Sequence, residues 1–169
     1  LVRRSPALIF ENIKGYRNAH GQKVAVNFIE SVNRGKVALG VPLNTPQPEL
    51  VQILRERFRK PVKPVLVKTG ACKEVVEVGS AVNLLEFPVP KIHNMDGGRY
   101  IMTWSNVITK DPKSGWINVG TYRGMIQDEK SLGMLIEPVH HGAVHMRQWR
   151  EAGHKRMPMA VAIGVDPLC

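Results

Sequence analysis

The chain has 169 residues, enough for one ordinary domain or for one domain and part of another. Its 43% hydrophobic and 6% aromatic content fits a globular protein rather than a disordered one, and no run of about 18 apolar residues predicts a membrane-spanning helix. The net charge of +10 comes from scattered basic residues, so solvated helix faces explain it better than a nucleic-acid-binding stripe, and the remaining bias favours small phosphates and carboxylates.

Leu1-Val2-Arg3-Arg4 lacks the apolar core of a secretory signal, and there is no initiator Met, which reads as a piece of something longer. Cys72 and Cys169 make neither a disulfide framework nor a Cys-x-x-Cys pair and suit a reducing cytoplasm.

Ala7–Phe10 reads as a short strand, and Val24–Phe28 as a second one beyond a loop in which His20 precedes Gly21; that histidine is expected in solvent. Ser31–Gly40 is ambiguous between helix and break. Thr45-Pro46-Gln47-Pro48-Glu49 predicts a helix start, with a capping hydroxyl, first-turn prolines and an early acid. Leu50, Ile53, Leu54 and Phe58 follow at helical spacing as its expected buried face, and Pro61 ends it. Lys63–Leu85 reads as extended, with strands at Val65–Val67, Val75-Val76 and Val78 and with Cys72 between them. The prolines of Leu84–Pro90 suit a connector.

Asp96-Gly97-Gly98 is a turn signal. Tyr100, Met102, Trp104 and Asn106 alternate as one face of a strand, and Asp111-Pro112-Lys113-Ser114-Gly115 closes a hairpin back to Trp116. Asn118 and Arg123 are five residues apart, so a straight strand sends them to opposite faces. A shared site requires a bend, which Gly120 would permit. Arg123 carries forked donors suited to a carboxylate or phosphate.

Ser131–Ile136 reads as a strand and Val139–Gly153 as a helix, with Val144, Gln148 and Trp149 near one face and Gly153 as its stop. His140 and His141 stand at the helix start, where unpaired N–H groups attract anions and imidazole can ligate a metal. His145, four residues after His141, is expected to be structural or to support a ligand; His93 and His154 are expected to be structural. The apolar run Pro158–Val165 reads as a strand buried on both faces, which with the preceding strand and helix would make a β-α-β crossover. Gly-x-Gly-x-x-Gly after a strand and the Walker loop are both absent. From spacing alone, a cofactor site and an ordinary protein surface both remain open.

The segments His93–Ile101, Val107–Pro112 and Gly115–Arg123 together resemble the UbiD family, decarboxylases dependent on prenylated flavin mononucleotide (prenylated FMN). Pro6–Tyr16 is similar to the family's N-terminal region, and Pro158–Pro167 to the strand after the cofactor helix. The resemblance implies an α/β (α+β) chain: residues 1–90 an N-terminal α/β domain, residues 91–169 the first, truncated part of a flavin-binding split β-barrel.

It further implies Asn118 and His141 as metal ligands, and Asn118, Gly120, Thr121, Tyr122, Arg123, His140 and His141 as the cofactor-binding set. Arg123 is the implied catalytic residue, orienting the substrate carboxylate. The implied cofactors are prenylated FMN, Mn2+ and K+. The implied partners are a small aromatic or α,β-unsaturated carboxylic acid, other copies of the chain in a homo-oligomer, and a flavin prenyltransferase that supplies the cofactor. The implied activity is that of a cytoplasmic carboxy-lyase, able to run in either direction. The family's third metal ligand and its catalytic glutamates fall beyond the position of Cys169, so these residues are expected to be a portion of the enzyme. The alternatives are a non-catalytic flavin-binding or assembly subunit completed by a partner chain and, more weakly, a basic nucleic-acid-binding domain.

Overall fold

The computed structural model describes residues 6–16, 22–166 and 168. The readings made for Leu1–Arg4, His20, Gly21, Pro167 and Cys169 lie outside them. The fold mixes helix and sheet. Its elements in order are β1 (Leu8–Phe10), β2 (Val24–Val26), α1 (Val32–Ala38), α2 (Gln47–Arg59), β3 (Ser105–Lys110), β4 (Ile117–Gly120), β5 (Gly124–Ile126), β6 (Leu132–Met134), α3 (His141–Glu151) and β7 (Met159–Ile163). Among the described residues the strands form three separate sheets, ordered β1-β2, β4-β3-β7 and β5-β6, and none closes into a barrel. No helix among them is long and apolar enough to cross a membrane.

The chain divides into two compact units, one holding Ala25–Val82 and the other Phe10–Val24 with Asn83–Pro167. In the first, α1 resolves the ambiguity at Ser31–Gly40 as helix: the Ser31 hydroxyl accepts from the Arg34 N–H at 3.3 Å and caps its start. The helix at Gln47 forms as its prolines and Glu49 predict, but Thr45 does not cap it. Pro46 is the N-cap, and no side chain bonds the first turn. Leu50, Ile53 and Leu54 are half-buried, whereas Phe58 is 83% exposed and leaves the expected apolar face.

The expected strands between Lys63 and Leu85 are absent. The segment is irregular, with short 3₁₀ turns at Ala71–Lys73, Gly79–Ala81 and Leu84–Glu86, and Val65, Val67, Val75, Val76 and Val78 are all exposed. β-branched residues favour extended backbone, but a strand exists only where another strand supplies its hydrogen bonds.

The second unit carries a core of Ile101, Met102, Val107, Tyr122 and Ile126, lined further by Leu84, Val89, Leu132, Met134, Ile136 and Val161. Its N-terminal segment is fastened by Tyr16, whose hydroxyl donates to the Val89 carbonyl at 3.0 Å and also bonds the Arg99 guanidinium. Residues 101–104 are a turn and bend rather than strand, and the buried face of β3 is Ser105, Val107 and Thr109, not the parity of Asn106. The β3–β4 hairpin forms as its turn residues predict, with Lys110 opposite Ile117 and Thr109 opposite Asn118. Gly115 takes a φ of 75°, and the Asp111 carboxylate accepts from the Lys113 N–H at 2.8 Å and the Ser114 hydroxyl at 2.7 Å.

The apolar run at Met159–Ile163 is an antiparallel partner of β3 on the sheet edge, largely exposed or half-buried, so it is neither buried on both faces nor part of a β-α-β crossover. β6 instead pairs antiparallel with β5. An apolar run shows length and hydrophobicity but not which strand it will meet.

The Lys113 N–H and the Ser114 hydroxyl hold the Asp111 carboxyl below the ordinary aspartate range. The folded protein therefore binds that proton less tightly than the unfolded chain. The contribution to stability is complete above aspartate's ordinary pKa of about 3.9 and is lost as pH falls through the lower folded value. Asp111→Asn is expected to lower the urea midpoint at pH 7, with the difference from wild type closing as the medium is acidified below that range.

Candidate functional site

The β4-β3-β7 sheet presents Thr109 and Asn118 side by side on one buried face, since residues directly opposite in an antiparallel pair point the same way. Helix α3 packs across β3 and β4 on that face. His145, 1% exposed, projects from α3 and bonds the Thr109 hydroxyl through Nδ1 at 2.9 Å, while its Nε2 is buried without a hydrogen-bond partner among the described residues. Trp116, just before β4, is met edge-on by both His141 and His145, each with ring centroids 5.1 Å away. The i, i+4 spacing places the two histidines on the same side of the helix. At the other end of α3, Trp149 Nε1 donates to the Lys110 carbonyl at 2.7 Å.

The helix begins where the sequence places it. His140 is the N-cap residue, with extended backbone, and its Nδ1 accepts from the Glu137 N–H at 3.2 Å. In the neutral ring the proton is then on Nε2, which leaves a donor for an anion. The helix ends in a Schellman arrangement: Gly153 (φ 85°) donates to the Arg150 carbonyl and His154 to the Trp149 carbonyl, each at 3.0 Å.

Tyr122 joins the two elements. Its ring belongs to the core and tilts against His140 at a centroid distance of 5.5 Å. Its hydroxyl accepts from the Gly142 N–H at 3.1 Å and from Asn118 Nδ2 at 3.4 Å. Gly120 does not adopt a positive φ; what it provides is room. A Cβ at Gly120 would lie 2.8 Å from the Tyr122 hydroxyl oxygen, and one at Gly142 3.0 Å from it.

The predicted residues therefore separate into two groups. Asn118, Gly120, Tyr122 and His140 are drawn together around the start of α3, with His141 beside them on Trp116. Thr121 and Arg123 lie on the other parity. Asn118, Tyr122, Gly124 and Ile126 are buried, whereas Thr121 and Arg123 are exposed, and the Arg123 guanidinium makes no hydrogen bond or ion pair with a described residue. The exposed cation is thus available to a carboxylate from outside these residues. No three His, Cys, Asp or Glu side chains gather as a metal cage among the described residues.

The donor set nevertheless fits a hard divalent ion. Asn118 Oδ1 has no hydrogen-bond partner among the described residues, and the His141 imidazole is exposed beside the first turn of a helix. The roles of Thr109 and Trp116 escaped the sequence reading. The hairpin register, with Thr109 opposite Asn118, is the signal that exposes the first.

The UbiD family profile, described as the 3-octaprenyl-4-hydroxybenzoate carboxy-lyase Rift-related domain, matches residues 63–169. A phenolic acid decarboxylase of Sedimentibacter hydroxybenzoicus is 36% identical over 99% of this chain and 35% of its own length. Vanillic acid decarboxylase of the same organism, in its closed form, superposes with a TM-score of 0.85 at 36% identity, covering 96% of this chain and 34% of the other. An evolved dimeric form of the UbiD-class enzyme HmfF from Pelotomaculum thermopropionicum, in complex with prenylated FMN, gives 0.81 at 29% identity, covering 95% and 36%. The chain spans about a third of the length of the curated relatives it matches.

Thr109→Val keeps the shape of the side chain but removes the partner of His145 Nδ1. Both ring nitrogens would then be buried unpaired, and urea unfolding is expected to show a loss of about 1–3 kcal/mol.

Proposed function

This chain belongs to the UbiD family, and on that premise we propose that it is part of a carboxy-lyase that removes carbon dioxide from an aromatic or α,β-unsaturated carboxylic acid. Residues 1–90 are assigned to its N-terminal α/β domain and 91–169 to the opening part of its split β-barrel. The observation that carries the reading is the approach of Asn118 to the start of α3 through the Tyr122 hydroxyl, which puts a carboxamide and two histidines beside an anion-receptive helix end.

Asn118 Oδ1 and a His141 ring nitrogen hold a divalent ion, Mn2+ in this reading, with a further ligand from outside these residues. The Nε2–H of His140 and the His141 N–H, the first-turn amide of α3 that has no partner among the described residues, would receive a phosphate of the cofactor. Prenylated FMN, when bound, would supply the electron sink for the charge left on an sp² carbon as carbon dioxide departs, which no protein side chain supplies well. Arg123, exposed and unpaired among the described residues, orients the substrate carboxylate through its forked donors. A K+ ion beside the metal, assembly into a homo-oligomer, cytoplasmic location and supply of the cofactor by a flavin prenyltransferase complete the reading.

The test uses the full-length protein loaded with prenylated FMN and Mn2+ and offered a panel of aromatic and unsaturated acids. Carbon dioxide release is expected, with Arg123→Ala lowering kcat roughly 10²–10³-fold, while Asn118→Ala and His141→Ala lose bound Mn2+. The 169 residues alone are expected to give no turnover. Activity that survives removal of Arg123, or turnover by the isolated chain, would overturn this assignment.

A further inference from the structure

The proposed function leaves the Tyr122 side chain without a part. The resemblance makes it a cofactor contact, but its phenol is 7% exposed and packed in the core with Ile101, Met102, Val107 and Ile126. What it reaches are two polar groups on separate elements, Asn118 Nδ2 of β4 and the Gly142 N–H in the first turn of α3. Gly120 and Gly142, twenty-two residues apart in the chain, both lack a Cβ at the place where the phenol passes.

The contact to Asn118 has a chemical consequence. A carboxamide offers a donor at Nδ2 and an acceptor at Oδ1, and only the oxygen suits a hard cation. With Nδ2 held by the phenol, Oδ1 is turned away from Tyr122 and is left without a hydrogen-bond partner among the described residues. The second contact holds the first turn of α3, the turn that bears His141, against the same phenol oxygen.

We propose that Tyr122 is a positioning residue for the metal site: it holds the Asn118 carboxamide by Nδ2 so that Oδ1 faces away from the phenol, and it fixes the start of α3 against β4, without touching metal or cofactor. The proposal rests on the reading of Asn118 and His141 as metal ligands. It follows the general behaviour of metal sites, whose outer hydrogen-bond partners aim the ligands.

The test compares wild type, Tyr122→Phe and Asn118→Ala in the full-length protein with FMN and Mn2+ as probes, read by electron paramagnetic resonance and by hydrogen exchange. Tyr122→Phe keeps the ring that fills the gaps at Gly120 and Gly142. It is expected to weaken Mn2+ binding roughly 10–100-fold, to change the Mn2+ spectrum in the same direction as Asn118→Ala, and to speed exchange at Gly142 while unfolding stays cooperative. A Tyr122→Phe protein that binds Mn2+ as wild type does, beside an Asn118→Ala protein that does not, overturns the positioning role and leaves the metal reading standing. Wild-type binding by both variants overturns the metal reading and the proposal with it. Exchange in the wild-type protein without FMN tests the contact at the helix start directly. The Gly142 amide is expected to be protected well beyond that of His141, and equal exchange at the two overturns the proposal.

Discussion

The buried side of the β4-β3-β7 sheet sets polar side chains beneath α3 beside the apolar Val107, and their desolvation shapes the C-terminal unit. Thr109, Asn118 and His145 are all removed from solvent. Each of these side chains must find a hydrogen bond inside the protein or lose the one that water gave it. The hydroxyl of Thr109 meets His145 and the amide of Asn118 meets Tyr122, so the helix is attached to the sheet by directional contacts as well as by apolar packing. Contacts of this kind discriminate among arrangements that hydrophobic burial alone would tolerate. Nε2 of His145 is left without a partner among the described residues.

The elements that rest on local chemistry were legible in the sequence. The hairpin at Asp111–Gly115, the prolines and acid opening α2, the start of α3 at His140-His141 and its stop at Gly153 all depend on residues within one turn of each other. The failures are of another kind. Val65, Val67, Val75, Val76 and Val78 have the composition of strands, and Met159–Ile163 has the run of a buried one, yet β structure is completed by partners distant in sequence. The valines find no partner strand within the described residues, and β7 finds β3 instead of β6.

The site divides along the same line. The opposite parities of Asn118 and Arg123 follow from alternation and the histidines stand at the expected helix start, but which parity is buried does not follow from either. The Tyr122 hub does not, because it requires two glycines on different elements to leave space for one ring. Arg123 is instructive in the opposite sense. Strand alternation sends it away from Asn118, and it is exposed where Asn118 is buried. A carboxylate approaching Arg123 and an ion held at Asn118 would therefore reach this segment from different sides, unless the bound group itself spans the two.

The attachments of α3 fall at Gly142, His145 and Trp149, to Tyr122, Thr109 and Lys110 respectively. Those steps of three and four residues trace a single stripe along a helix of about 3.6 residues per turn. Together they fix the rotational phase of the helix as well as its position, and the azimuth of the His141 ring follows from them. One residue added or deleted between Gly142 and Trp149 would turn the far part of the stripe by about 100°, so that one group of attachments could be kept only by giving up the other. Between those three positions the chain can exchange side chains one for one, but its length is part of the site.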